Sequence, residues 1–157
     1  MDDKDRQIIR ALQHNGRITN QDLAELVNLS PSPCLRRVKN LEEKGVIRGY
    51  SAQVDAKAYG LPITVFVRIR LERHNEADVQ NFESRIGMID EVQECHVLTG
   101  AMDYQLRVVV SDLDAYEHFI RRRIQQIGGI ASIDTSFVYG TVKTTSVFPA
   151  ERLAATS

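Results

Sequence analysis

The apolar residues of this chain change their spacing once, near Pro62, and that change limits the fold more than any other feature. Before Pro62 they recur at helical intervals. After it they alternate with other residues, as in a strand with one buried face. A helical period cannot serve as a strand period, because side chains three to four apart share a helix face whereas every second one shares a strand face. The chain therefore divides into a helical first part and a mixed second part.

In the first part, Ile8, Ile9 and Leu12 predict a helix that stops near Asn15-Gly16. Thr19 is a good cap for a second helix whose apolar face is Leu23, Leu26 and Val27. Asn28 stands where a left-handed residue is wanted, a conformation asparagine tolerates. Ser30 caps a third helix running to Lys44, with Pro31 at its first position, a buried stripe of Leu35, Val38 and Leu41, and Gly45 at its end. Val46 to Val54 reads as a short hairpin bending near Gly49. Residues 1–50 thus form one unit, a winged helix-turn-helix, and residues 51–62 a connector.

In the second part, Ile63 to Leu71 alternates, and Val79, Phe82 and Ile86 have helical spacing. Val92 to Leu98 and Tyr104 to Val110 read as strands. Leu113, Tyr116, Phe119, Ile120, Ile124 and Ile127 mark a strongly apolar helix. Ile133 to Tyr139 is a fourth strand, with Val142 to Val147 as an expected extension of the sheet. Strand, helix, strand, strand, helix, strand is the ferredoxin-like order, assigned to residues 63–149 as an α+β sandwich. A weak repeat supports a duplicated unit: Ile86-Gly87-Met88-Ile89 and Ile127-Gly128-Gly129-Ile130 each lie between a helix and the next strand. Residues 150–157 are small and polar and read as a fraying tail.

Charge points the same way. The chain carries a formal net charge of −1. Residues 1–60 hold ten Lys/Arg against eight Asp/Glu, a net +2, while residues 61–157 hold ten against thirteen, a net −3. A local basic footprint on a helix-turn-helix is the signature of double-stranded DNA. The third helix carries Ser32, Arg36, Arg37, Lys39 and Asn40 on its non-core face. Arginine reads guanine bidentately, asparagine reads adenine, and serine or lysine holds phosphate. Arg48 and Tyr50 would reach the flanking backbone from the hairpin. The alternative is a three-helix bundle whose basic face is merely solvated.

Other classes find less support. Cys34 and Cys95 are too few and too far apart for a disulfide framework or zinc cluster, and the four histidines lack metal-ligand spacing. No metal, cofactor or catalytic set is expected. Cys34, at a helix N-terminus, is expected to have a lowered thiol pKa, and a redox role there is the alternative to a small packed residue. An architectural protein that wraps DNA without an effector is a further alternative. No charged-then-apolar leader is visible and no apolar run approaches about 18 residues, so a cytoplasmic protein with no membrane partner is the expectation.

Several motifs together resemble the Lrp/AsnC, or feast/famine, family of transcriptional regulators. They are Gly16-Arg17-Ile18-Thr19-Asn20, Leu29-Ser30-Pro31-Ser32-Pro33-Cys34-Leu35-Arg36-Arg37-Val38, Leu41-Glu42-Glu43-Lys44-Gly45-Val46-Ile47, Val92-Gln93-Glu94-Cys95-His96 and Gly100-Ala101-Met102-Asp103-Tyr104. The resemblance runs from about Asp3 to Pro149. It implies a helix-turn-helix over roughly Asn20 to Lys39, with Ser30 to Cys34, Pro33 included, as cap and docking surface. It implies homodimers that assemble further, commonly to octamers, and an amino acid or related small molecule as effector. That effector would sit where sandwich domains meet, lined by Gly100, Ala101, Met102, Asp103 and Tyr104 and by Thr135, Phe137 and Tyr139. Ala101 departs from the acidic residue of many relatives. Physically, Gly100 permits close backbone approach. Asp103 either receives an effector's α-ammonium or only stabilises its own turn.

Overall fold

The structure is a computed structural model and describes residues 1–149. Backbone proximity groups Met1–Gln53 with the segment from Val142 onward as one compact unit, and Val54–Thr141 as another.

The first unit holds α1 (Asp3–His14), α2 (Asn20–Leu26) and α3 (Pro31–Glu43). Each start has a local cause. Asp2 caps α1 by accepting from the Asp5 N–H while the Asp5 carboxylate accepts from the Asp2 N–H, a capping box. Thr19 caps α2 by accepting from the Asp22 N–H. Asn28 takes φ +53°, the left-handed value that lets the chain reverse between α2 and α3. Ser30 holds the extended backbone of a cap before Pro31, but its hydroxyl makes no capping bond. Gly45, at φ +68°, turns the chain back so that the Val46 and Ile47 N–H groups both reach the Leu41 carbonyl.

The core of this unit is Ile8, Ala11, Leu23, Ala24, Val27, Cys34 and Leu41. Two expected members are absent. Leu26 and Leu35 are exposed, and Ala24 and Cys34 take the inward positions instead. On α3 the buried line runs Cys34, Val38, Leu41, a spacing of four then three that follows one helix face better than an unbroken spacing of three. The expected hairpin over Val46–Val54 is not formed: no described residue between Lys44 and Leu61 is in a strand. An isolated two-stranded ribbon with exposed faces is marginal in water, and Val46, Tyr50 and Val54 are all exposed here.

The second unit holds β1 (Ile63–Leu71), α4 (Glu76–Ile86), β2 (Val92–Val97), β3 (Tyr104–Val110), α5 (Leu113–Phe119) and β4 (Ile130–Phe137). The strands form one antiparallel sheet in the order β2-β3-β1-β4. Val65, Val67, Ile69 and Leu71 of β1 and Tyr104, Leu106, Val108 and Val110 of β3 face Phe82, Ile86, Phe119 and Ile124 of the helix layer. The period-two reading of β1 and β3 is thus the core itself.

The apolar helix after β3 is not α-helical throughout. From Ile120 to Ile124 it widens to a π-turn, with the Gln125 N–H bonded to the Ile120 carbonyl. The extra residue carries Ile124 under the core while Arg121, Arg122 and Arg123 stay outside. The fourth strand begins and ends earlier than its alternation suggested, and Val142–Val147 adds no strand to the sheet. Instead the carbonyls of Ser146 and Phe148 are bonded by Gln13 and Arg10 of α1. The expected fraying tail lies outside the described residues. No helix among the described residues is long and apolar enough to cross a membrane.

Candidate DNA-reading helix and effector turn

The direction of α3 is fixed before any DNA is met. The Leu29 N–H bonds the Ala24 carbonyl and closes the end of α2. Asn20 at the start of α2 donates through Nδ2 to the Pro31 carbonyl at 2.9 Å, tying the first turns of the two helices together. Its Oδ1 is buried with no hydrogen-bond partner among the described residues. Asn20 therefore spends its donor on the turn.

On the outer side, Ser32, Leu35, Arg36, Arg37, Lys39, Asn40 and Glu43 line one open depression of about 740 Å³. Arg36, Lys39 and Asn40 are exposed, and among the described residues their side chains make no hydrogen bond or ion pair. Arg37 differs. Its Nη1 lies 2.7 Å from Asp2 Oδ2 and 2.7 Å from Asp5 Oδ1, so it clamps α3 to the capping box of α1. Asp2 is held below the usual carboxylate range, first by the Asp5 N–H and then by Arg37. Ser32 is exposed and Pro33 half-buried. Arg48 is exposed, and Tyr50 donates its hydroxyl to Glu42 at 2.9 Å.

Cys34 corrects an expectation. It is fully buried, and burial pushes its thiol up rather than the helix start pulling it down. Removal from water favours the neutral thiol over the thiolate.

The Gly100 turn is built differently. Gly100 has φ +123°, which side chains rarely tolerate, so a glycine is required there. Asp103 is knotted into its neighbours. Its N–H donates to the Ile69 carbonyl, its carbonyl accepts from Leu98, and its Oδ2 accepts from the Leu71 N–H at 2.7 Å. Its Oδ1 lies 2.9 Å from His74 Nε2. The Leu71 N–H first, and then His74, hold this carboxyl below the usual range. His74 carries no motif that sequence reasoning could have used, since only the folding of the β1–α4 loop brings it to Asp103. Ala101 is exposed and Met102 half-buried.

Tyr104 belongs to the core. Only 3% of it is exposed, its ring lies 4.5 Å from that of Phe82, and its hydroxyl donates to Glu83 at 2.9 Å. Burial, reinforced by Glu83, pushes the phenol up to about 12. Thr135 shares a hydroxyl hydrogen bond with Tyr116, Phe137 packs edge-on to Tyr116 at 5.0 Å, and Tyr139 is exposed.

Strand register decides whether these residues share one site. Tyr104 and Ile133 both lie opposite Ile69, whereas Thr135 pairs with Val67 and Phe137 with Val65. Four residues of strand span about 13 Å. The Gly100–Asp103 turn therefore lies beyond the Leu71 end of β1, and Phe137 and Tyr139 lie toward its Ile63 end. One chain does not bring the two halves of the expected effector lining together.

A family model described as the Lrp/AsnC ligand binding domain matches residues 64–148, and one described as winged helix-turn-helix DNA-binding matches residues 1–48. The chain belongs to the Lrp/AsnC family of transcriptional regulators. This Lrp/AsnC protein is 37% identical over 153 residues to the transcriptional regulator AzlB of Bacillus subtilis, covering 98% of each chain. It is 40% identical to the Bkd operon transcriptional regulator of Pseudomonas aeruginosa, over 95% of this chain and 97% of that one. A Neisseria meningitidis transcriptional regulator, solved as an L-Met complex, superposes with a TM-score of 0.90 at 36% identity, covering 95% and 96%.

Proposed function

We propose that this Lrp/AsnC protein binds double-stranded operator DNA with the Arg36–Asn40 face of α3, and that an amino acid or related small molecule modulates that binding from the sandwich domain. The observation that carries the DNA reading is the contrast along α3. Among the described residues Arg36, Lys39 and Asn40 keep their donors unspent on the exposed side of the helix, whereas neighbouring Arg37 is consumed by Asp2 and Asp5. Groove recognition needs the first condition, because a side chain already bonded within the protein must break that bond to meet a base. Arg48 and Ser32 serve as flanking phosphate contacts in this reading.

The effector reading rests on the Gly100–Asp103 turn and on the L-Met complex of the Neisseria relative. Asp103 is both anionic and rigid, which suits a ligand ammonium, and its oxygens retain lone pairs beyond those given to Leu71 and His74. Because Phe137 and Tyr139 lie toward the opposite end of the sheet and Thr135 only at its middle, a site containing both groups requires a second copy of the chain. This favours a homo-oligomer, a dimer or an octamer built from dimers, with effector binding and assembly linked. Cytoplasmic operation next to the nucleoid follows from the DNA reading, and a non-catalytic role from the regulator relatives.

Fluorescence anisotropy of labelled promoter DNA at several salt concentrations tests the first part. Binding with no preference among promoter sequences would sink it. A thermal-shift screen across the amino acids tests the second. An effector at a hundred times its dissociation constant adds about 2.7 kcal/mol of stability. Sedimentation with and without that ligand reports the assembly state.

A further inference from the structure

We propose that Val142–Pro149 is a strap that holds α1, and through it the reading helix, so that the chain leaving the effector unit is bonded back onto the first helix of the DNA-reading unit. Backbone proximity sets the boundaries between the units at Gln53/Val54 and Thr141/Val142.

The grip is specific. Arg10 and Gln13 lie three positions apart on α1 and so share a face. Gln13 Nε2 donates to the Ser146 carbonyl at 2.7 Å, and Gln13 Oε1 accepts from the Phe148 N–H at 3.3 Å. One side-chain amide thereby meets both a carbonyl and an N–H of this segment's backbone. Arg10 Nη1 donates to the Phe148 carbonyl at 2.9 Å. Phe148 and Pro149 also line an apolar hollow with Ile9 and Val46. The polar contacts go to the strap's backbone, so they depend on its path rather than on its side chains.

What α1 receives it passes to α3. Ile8 and Ala11 pack in the cluster that contains Cys34 and Leu41, and Arg37 bonds both Asp2 and Asp5. At its other end the strap continues from β4, the strand that carries Thr135 and Phe137. A ligand that moves the end of β4 therefore acts on a segment bonded to α1. The linkage to an effector rests on the reading given under Proposed function, whereas the grip on α1 does not.

Two full-length variants, Gln13→Leu and Phe148→Pro, and one shortened chain ending at Thr141 test it. Phe148→Pro removes the strap's N–H donor and leaves the sequence of α1 intact, so a folding defect in α1 cannot account for its effect. Hydrogen exchange of the α1 amides is read first, without DNA or effector. It is expected to speed up by about three- to tenfold in both point variants, the scale of one or two lost hydrogen bonds, and further in the shortened chain. DNA affinity is expected to fall by a similar factor. The ratio of DNA affinities with and without the amino acid found by thermal shift is expected to move toward one. Exchange and DNA affinity within twofold of the parent in all three variants would overturn the proposal. So would faster exchange in the shortened chain alone, since the grip assigned to Gln13 would then carry nothing. If the parent protein shows no sequence preference or no effector, the DNA or effector reading fails, and the α1 exchange rates still decide the strap.

Discussion

The outer face of α3 and the Gly100 turn are both expected to meet a ligand, yet they spend their polar groups in opposite ways. On α3, Arg36, Lys39 and Asn40 are exposed and, among the described residues, unpaired. At the turn, each polar group of Asp103 is already engaged: N–H with Ile69, C=O with Leu98, and the carboxylate with Leu71 and His74. The first arrangement suits a partner that arrives with many phosphates and base edges and tolerates mobile side chains. The second suits a small ligand, for which a preset anion saves the ordering cost that weak binding cannot bear. Arg37 sits between the two cases. It lies on the reading helix, yet it is spent like a residue of the turn.

The largest expected effects test the unspent face. Arg36→Ala is expected to cost about 1–3 kcal/mol of specific DNA binding and to relax base preference at one position. Titrations against single-base operator variants measure both. A uniform loss across all sequences would reassign Arg36 to phosphate.

Asp103→Ala comes next. It strands the Leu71 N–H and is expected to destabilise the second unit by about 1–3 kcal/mol, read by urea unfolding. Unchanged stability would mean that the carboxylate is kept for a ligand alone, which sharpens the contrast in the other direction.

Lys39→Ala is expected to weaken binding evenly across sequences and to reduce the slope of log affinity against log salt by about 1. Arg37→Ala should alter DNA affinity less than either α3 neighbour while loosening the N-terminal turn of α1. If it costs as much affinity as Arg36→Ala, the division of α3 into spent and unspent residues breaks.

The smallest effect is one of pH. The folded Asp103 carboxyl is lowered, so its stabilising contribution is complete above the ordinary value of 3.8 and is lost as pH falls through the folded value. Thermal melts of the second unit in acid should therefore decline below pH 3.8 less steeply in Asp103→Ala than in the parent.

Much of the fold was legible because its causes are local. Thr19, Asn28, Pro31 and Gly45 bound α2 and α3 within a few residues of where their chemistry acts. Alternation over Ile63–Leu71 gave a strand at the bounds observed. The misreadings share a cause. A spacing of three puts Leu35 inward, yet Cys34 holds that place, because three residues fall about 60° short of a full helix turn. Val46–Val54 offers a bend residue at Gly49, but no hairpin forms there, because a two-stranded ribbon needs a surface to bury against. The π-turn at Ile120–Ile124 inserts one residue that no periodicity announces.

The candidate sites divide along the same line. The exposed face of α3 could be read from its own sequence, because a helix displays its residues in a fixed order. The engagement of Arg37 with Asp2 and Asp5, and of Asp103 with Leu71 and His74, joins residues more than 25 positions apart. Gln13 and the backbone at Ser146 and Phe148 are separated by 133 and 135 positions. The sequence by itself determined which segments are helix and strand and which helix face is basic, since propensity, capping and periodicity act over a few residues. Only the tertiary structure decided which polar groups are already spent, which lining residues lie at opposite ends of the sheet, and where the chain after β4 returns. Those outcomes depend on distances between segments remote in sequence, and local chemistry carries no record of them.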